Sequence, residues 1–256
     1  MSARYRFVLD PVEGTIRRFF KFFGYEIIKM GRDYAPDELE IINKVRPFTG
    51  TSIERIGGLI NVVKYLSDNK IEGDFVECGV WRGGSMMAAM LTLAQLGDTS
   101  RHFYLYDTYE GMTPPTDKDI THGGTRAADL LAASEKKEGP TYWCIASLDD
   151  VKKNVFSTGY PKDKIHFIKG RVEDTLPSQS SKQIALLRLD TDWYESTYHE
   201  LLHLYPLLIQ GGALILDDYG YWQGSRRAVD EYFAKQTFAP LLMKLDFSGR
   251  LAVKPK

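Results

Sequence analysis

Two short apolar runs in this chain close on acids. IALLRLDTDWYES ends in Asp190 and Asp192, and GGALILDDYG ends in the adjacent pair Asp217 and Asp218. Such runs read as buried strands, and carboxylates belong at their tips rather than inside them. Neighbouring strands of a parallel sheet present their carboxyl ends to one crevice, so the four acids are expected to converge. Like charges in one crevice raise pKa values steeply, and a divalent cation taking oxygen ligands from two or three of them is the usual relief. A metal site is the first chemistry this pattern implies.

A second constellation precedes the acids. GDFVECGVWRGGS follows an apolar run and opens a helical one, with Gly79 and Gly83 permitting close backbone approach to a ligand. Its spacing is not that of the dinucleotide fingerprint G-x-G-x-x-G, and Glu77 ahead of the first glycine repels a phosphate. S-adenosylmethionine fits better, because its sulfonium and ammonium suit Glu77 while its carboxylate can take amide hydrogens and the Ser85 hydroxyl at the helix start. The candidate cofactor residues here are Glu77, Cys78, Gly79, Val80, Gly83 and Ser85. HFYLYD then ends in Asp107, where an α/β nucleotide site needs an acid for ribose hydroxyls, with Thr108 beside it. In KGRVEDTLP, Glu173 or Asp174 can meet an adenine amino group, a helix-capping acid being the alternative.

Strands and helices must alternate to place these groups. A lead-in helix with apolar residues from Ile53 to Leu66 comes first. GDFVECGV, HFYLYD, KIHFIKG, IALLRLD and ALILDD follow as strands, with helices from Ser85 to Leu96, Leu148 to Phe156 and Thr197 to about Ile209. Alternation of this kind predicts an α/β fold, a doubly wound, Rossmann-like and mostly parallel sheet. After a helix from Arg226 to Phe233, PLLMKLDFSGRLAVKP reads as two strands about a Ser248 and Gly249 turn, an antiparallel C-terminal edge. The division is a helical arm over residues 1–50 and the main domain over 51–256. The stretch from Gly111 to Lys137 lacks periodicity and is too long for a connector, so it reads as a loop covering the crevice.

With these motifs in place, the sequence resembles the class I S-adenosylmethionine-dependent O-methyltransferases of the macrocin, mycinamicin and novobiocin sugar-tailoring type. VRPFTGTSIERIGGLI, GDFVECGVWRGGS, YLYDTYEGM, GYPKDKIHFIKGRVEDTLP, IALLRLDTDWYESTYHELLHLYP and GGALILDDYGYWQGSRRAVDEYF carry the resemblance, nearly everything after about Arg46. It implies Mg2+-dependent methyl transfer to a sugar hydroxyl of a small-molecule acceptor, a natural product or nucleotide sugar, or of a glycan, with Asp190, Asp217 and Asp218 as metal ligands and Asp192 as general base. Catechol O-methyltransferase is a more distant likeness, with a similar metal trio but a lysine near the place of Asp192. The chemistry is consistent: a sugar hydroxyl has a pKa far above neutrality, a bound cation lowers it, and a nearby carboxylate can take the proton. Trp193, Tyr219, Tyr221 and Trp222 are candidate sugar-facing walls, although each alone also suits core packing.

Other readings are narrowed by composition and context. A net charge of -1 leaves no basic footprint for nucleic acid. Two cysteines, Cys78 and Cys144, make no disulfide framework, so a cytoplasmic protein is expected. The opening residues lack a signal-peptide pattern. TIRRFFKFFGYEIIKMGR interleaves Phe19, Phe20, Phe22, Phe23, Ile27 and Ile28 with Arg17, Arg18, Lys21 and Lys29. It reads as an arm packing on the domain or on a second subunit of a homodimer or larger homo-oligomer, in preference to a membrane surface. A noncatalytic cofactor-binding or membrane-docking protein is the alternative, disfavoured because a binder needs no base beside a metal. His199, Glu200 and His203 spell H-E-L-L-H, the zinc-peptidase helix signature. No histidine follows, and Pro206 disturbs the same helix, so the favoured reading is two histidines on a surface helix after a Thr197 to Glu200 capping box.

Overall fold

Proline and serine punctuation starts the first helices. The structure, a computed structural model, describes residues 11–24 and 33–255, and the chain divides into two units, Met1–Tyr34 and Ala35–Lys256. In the first unit, helix α1 (Pro11–Phe22) opens on a proline, whose fixed φ suits a first helical turn. It leaves Ile16, Phe19, Phe20 and Phe22 exposed, with Phe23 just beyond it. Ile27, Ile28 and Lys29, grouped with this helix by pattern, and the Arg17 side chain lie outside the described residues.

The second unit begins with α2 (Pro36–Val45) and α3 (Ile53–Asp68). The Ser52 Oγ caps α3 by accepting the Arg55 amide at 3.1 Å. Although patterning placed it in the arm, α2 buries Ile41, Ile42 and Val45 and belongs to this unit. Then follow β1 (Asp74–Cys78), α4 (Gly84–Gln95), β2 (Phe103–Asp107), α5 (Ala127–Ala133), α6 (Leu148–Phe156), β3 (Ile165–Lys169), α7 (Val172–Thr175), β4 (Ile184–Leu189), α8 (Tyr194–Leu204), β5 (Leu208–Leu216), α9 (Gln223–Phe233), β6 (Met243–Lys244) and β7 (Arg250–Val253).

The sheet runs β3-β2-β1-β4-β5-β7-β6. β1 to β5 are mutually parallel, and β7 lies antiparallel to both β5 and β6. This is the expected doubly wound class with its antiparallel edge. Every residue of β4 is buried, as a strand covered by helices on both faces requires. The order reverses between β1 and β4, so the crevice opens at their carboxyl ends.

Three local readings change in the structure. The helix expected from Thr197 to Ile209 instead spans α8, because Pro206 cannot donate into a continuing helix, and Leu208 already pairs with Ile184 of β4. Thr197 consequently lies inside α8 and no capping box forms with Glu200. The stretch from Gly111 to Lys137 is not structureless, since it contains α5 and bridges Thr121 to Trp222.

Asp119 anchors that stretch. It is fully buried, with Oδ2 accepting from the Thr116 amide at 2.7 Å and hydroxyl at 2.9 Å. Its Oδ1 accepts the Tyr194 amide at 2.8 Å, satisfying a donor in the first turn of α8 that the N-cap Trp193 cannot serve. Asp119→Ala orphans these donors and is expected to lower stability by roughly 1–3 kcal/mol, read as a reduced urea midpoint at unchanged m-value.

Candidate active site

The strand ladder continues past the strand ends and draws the acids together. The Asp190 amide donates to the Cys78 carbonyl at 2.9 Å, and the Asp217 amide to the Leu189 carbonyl at 2.9 Å. The tips of β1, β4 and β5 are thus tied in register. Gly79 is demanded by this arrangement rather than by a ligand: at φ +82°, a Cβ there would lie 2.0 Å from the Asp190 carbonyl oxygen. Gly83 serves packing too, for its Cβ would press on Val155 of α6 at 2.8 Å.

Arg188 stands at the centre of the acids. It pairs with Glu77 across β1 and β4 and shares a strand face with Asp190 two residues on. The residue is 2% exposed. Nη1 donates to Glu77 Oε1 at 2.6 Å and lies 2.7 Å from Asp190 Oδ2, while Nη2 donates to Asp217 Oδ1 and, at 3.0 Å, to the Thr51 hydroxyl. Arg55, from the first turns of α3, adds a second cation. Its Nη1 pairs with Asp217 Oδ2 and its Nε with Asp246 Oδ2 at 2.9 Å.

The protein therefore supplies part of the charge relief itself. Two guanidiniums share this site with the carboxyls of Glu77, Asp190, Asp192, Asp217, Asp218 and Asp246, so acids outnumber cations. Burial pushes the Glu77 and Asp192 carboxyls up to about 7, with Arg188 opposing the rise at Glu77 and the Asp190 charge adding to it at Asp192. Burial, with neighbouring carboxylates adding to it, also holds Asp190 and Asp218 well above the usual carboxylate range.

The donor set suits a hard divalent cation. Asp190, Asp217 and Asp218 can each present an oxygen within 4.8 Å of the others, and they form the one such cluster of three or more His, Cys, Asp or Glu among the described residues. Octahedral Mg2+ with bonds of about 2.1 Å needs oxygens roughly 3 to 4.2 Å apart, which this spacing allows. His199 and His203 pack ring against ring, 4.4 Å between centroids, and join no such cluster.

A cleft runs along the carboxyl ends of β1, β2 and β4. Of the candidate cofactor residues, Gly79, Val80, Ser85, Asp107, Thr108 and Glu173 line it. Glu77 and Cys78 do not: Glu77 lies behind the cleft against Arg188, and Cys78 is in the core with its side chain fully buried. Gly83 lies outside the lining as well. Asp107 already accepts three backbone amides, from Val80 at 2.7 Å, Trp81 at 3.0 Å and Tyr109 at 2.7 Å. It ties the glycine loop to β2, and the Thr108 hydroxyl lies 3.4 Å from its Oδ1. Glu173 faces the cleft, whereas the Asp174 side chain is exposed.

A second cleft, with aromatic walls, meets the first. Trp193, Tyr221 and Trp222 line it, together with Leu130 and Leu131 around α5. The two tryptophan rings meet edge to face at 4.9 Å. Tyr219 is not part of this wall, since its hydroxyl donates to Asp230 at 2.8 Å beside a different cleft. Asp192, Arg55 and Cys144 border both the first and the second cleft. Asp192 is held there at φ +66°, its amide donating to Asp218 Oδ2 at 3.1 Å.

The family model of macrocin O-methyltransferase (TylF) matches residues 43–251. The chain belongs to the macrocin O-methyltransferase family. A tetracenomycin-C 4'-O-methyltransferase of Streptomyces olivaceus, acting on the 8-demethyl-8-(2,3-dimethoxy-alpha-L-rhamnosyl) compound, is 32% identical over 201 residues, covering 78% of this chain and 73% of that protein. Demethyldecarbamoylnovobiocin O-methyltransferase of Streptomyces niveus is 31% identical over 231 residues, covering 88% and 79%. Among solved structures, the O-methyltransferase NovP superposes with a TM-score of 0.72 at 29% identity, covering 88% of this chain and 90% of that one. The fold is that of the class I methyltransferases, and the protein is an O-methyltransferase.

Sequence reasoning about this O-methyltransferase missed Arg188 and Arg55. Arg188 had a visible signal, a lone charge inside the otherwise apolar run IALLRL, because a buried cation demands counter-charges. Arg55 had none beyond its place after a helix-capping serine. In this family member, Arg188→Met leaves Glu77, Asp190 and Asp217 without their shared cation. The expected loss is roughly 3–5 kcal/mol of folding stability, measured by urea unfolding. A variant as stable as the parent would mean that the acids are not held by Arg188.

Proposed function

We propose that the protein transfers the methyl group of S-adenosylmethionine to a sugar hydroxyl of a small-molecule acceptor, with Asp192 as general base and Mg2+ held by Asp190, Asp217 and Asp218. One observation carries this reading: Asp192 stands where the cleft lined by the candidate cofactor residues and the aromatic cleft meet. A base for methyl transfer must reach an acceptor oxygen that also faces the methyl donor, and a position at that junction supports this role.

The chain's own residues divide the work. Asp107 and Glu173 suit the adenosine part of the cofactor, and the glycine loop with Ser85 suits its methionyl part. Trp81, whose buried indole Nε1 has no partner among the described residues, lines the same cleft and has a donor to spare for a polar ligand. Trp193 and Trp222, largely buried against Ala127 and Leu131 of α5, give the acceptor side an apolar wall. Asp192 takes the hydroxyl proton, an assignment consistent with a carboxyl pushed up to about 7 by burial. Mg2+, when bound, would lower the pKa of the acceptor hydroxyl and orient it. Arg188 and Arg55 hold Asp217 in place for that role. The relatives' acceptors, rhamnosyl tetracenomycin and demethyldecarbamoylnovobiocin, support a sugar-bearing acceptor here.

Base and ligand are separable by mutation. Asp192→Asn is expected to keep Mg2+ and cofactor binding in calorimetry while losing roughly 10²- to 10⁴-fold in turnover, with demethyldecarbamoylnovobiocin as the first acceptor tried. Asp190→Asn and Asp218→Asn should weaken Mg2+ binding itself. Full turnover of Asp192→Asn at neutral pH would give the proton another route.

The phenylalanines left bare on and beside α1, with Phe22 at 86% exposure, support a homo-oligomer. Sedimentation of the full chain is expected to show a species heavier than the 29.2 kDa monomer. A monomer that binds anionic vesicles would favour the membrane reading instead. No helix among the described residues is long and apolar enough to cross a membrane.

A further inference from the structure

Glu200 is the buried acid of H-E-L-L-H, no step above employs it, and it is 0% exposed. Its Oε1 accepts the Thr191 hydroxyl at 2.9 Å. Its Oε2 has no hydrogen-bond partner among the described residues. A leucine would fill this place without the penalty of burying a polar group, so the carboxyl is informative only through what it holds. Burial above all, with Glu173 and Asp218 adding to it and the Thr191 hydroxyl opposing it, pushes this carboxyl well above its ordinary range.

What it holds is the turn that aims Asp192. The Trp193 amide donates to the Thr191 carbonyl at 2.7 Å, and between them Asp192 adopts its left-handed φ of +66°. Asp visits that conformation more readily than most residues other than glycine, but its surroundings must still hold it there. Four elements do so. The backbone of Gly79 lies against the Asp190 carbonyl from the β1 side. From the end of β5, Asp218 takes the Asp192 amide. The Thr113 carbonyl takes the Trp193 indole at 3.0 Å. From α8, Glu200 takes the Thr191 hydroxyl, and it alone grips the side chain between the two functional aspartates.

We propose that Glu200 is a positioning residue for methyl transfer: through Thr191 it clamps the 190–193 turn and thereby fixes the Asp192 carboxyl at the junction of the two clefts. Its consequence for turnover rests on the assignment of Asp192 as base, whereas the clamp itself is a statement about geometry.

The two can be tested apart. Crystal structures of Glu200→Gln, Glu200→Leu and Thr191→Val read the clamp directly. In Glu200→Gln the amide oxygen can still accept the Thr191 hydroxyl, so Asp192 should keep its positive φ and its bond to Asp218. In the other two it should lose them. Turnover with S-adenosylmethionine, Mg2+ and demethyldecarbamoylnovobiocin is expected to fall roughly 10- to 100-fold in Glu200→Leu and in Thr191→Val, with cofactor affinity by calorimetry unchanged. The double variant should be no worse than the weaker single one, because both changes remove one interaction. Glu200→Gln should be close to the parent. An unmoved Asp192 in folded Thr191→Val, or a Glu200→Gln as displaced as Glu200→Leu, overturns the clamp whatever the kinetics. If Glu200→Leu does not fold, Thr191→Val decides. A displaced Asp192 combined with an Asp192→Asn that retains full turnover would keep the clamp and sink the base.

Discussion

A guanidinium buried to the extent of Arg188 is stable only where carboxylates surround it, and those carboxylates tolerate one another only because it is there. This mutual requirement joins β1, β4 and β5 at their carboxyl ends and reaches the loop before α3 through Thr51. The crevice at the switch point is therefore built around an ion network rather than being a gap that ligands happen to fill. Arg55 extends the network to Asp246 in the turn between β6 and β7, where the Ser52 hydroxyl also donates to Asp246 at 2.6 Å. The antiparallel edge is thus anchored to the N-terminal end of α3.

The same network leaves a defined remainder. Glu77 spends one oxygen on Arg188 and is sealed away from the cleft, and Asp217 meets an arginine with each oxygen. Asp192 and Asp218 meet neither arginine, and Asp190 meets Arg188 with one oxygen only. Carboxyl oxygens that no arginine holds therefore lie on the side where the two clefts meet, where a cation would gain from them.

Chain order matters less here than which backbone groups are already committed. Asp107 satisfies amides of the glycine loop, Asp119 satisfies the start of α8, and Asp218 satisfies the Asp192 amide. Each is an acid whose first partners are the backbone groups that shape the site, so the cleft geometry is set before any ligand arrives.

Apolar runs ending in acids, glycines after Glu77, and strictly alternating strands and helices were enough to determine the fold class, the convergence of Asp190, Asp192, Asp217 and Asp218, and the cleft along Gly79, Ser85 and Asp107. These follow from periodicity and from the rule that parallel strands open at their carboxyl ends, both local or topological properties. Tertiary structure alone decided the rest. Whether Glu77 faces a ligand or a buried arginine depends on what lies across from it in β4, a partner 111 residues away along the chain. Pro206 and the pairing of Leu208 with Ile184 shortened α8, while Asp119 drew an apparently featureless loop onto the start of that helix. Counter-charges and hydrogen-bond partners are chosen by distance in space, and a single chain read in order carries periodicity but no such distances.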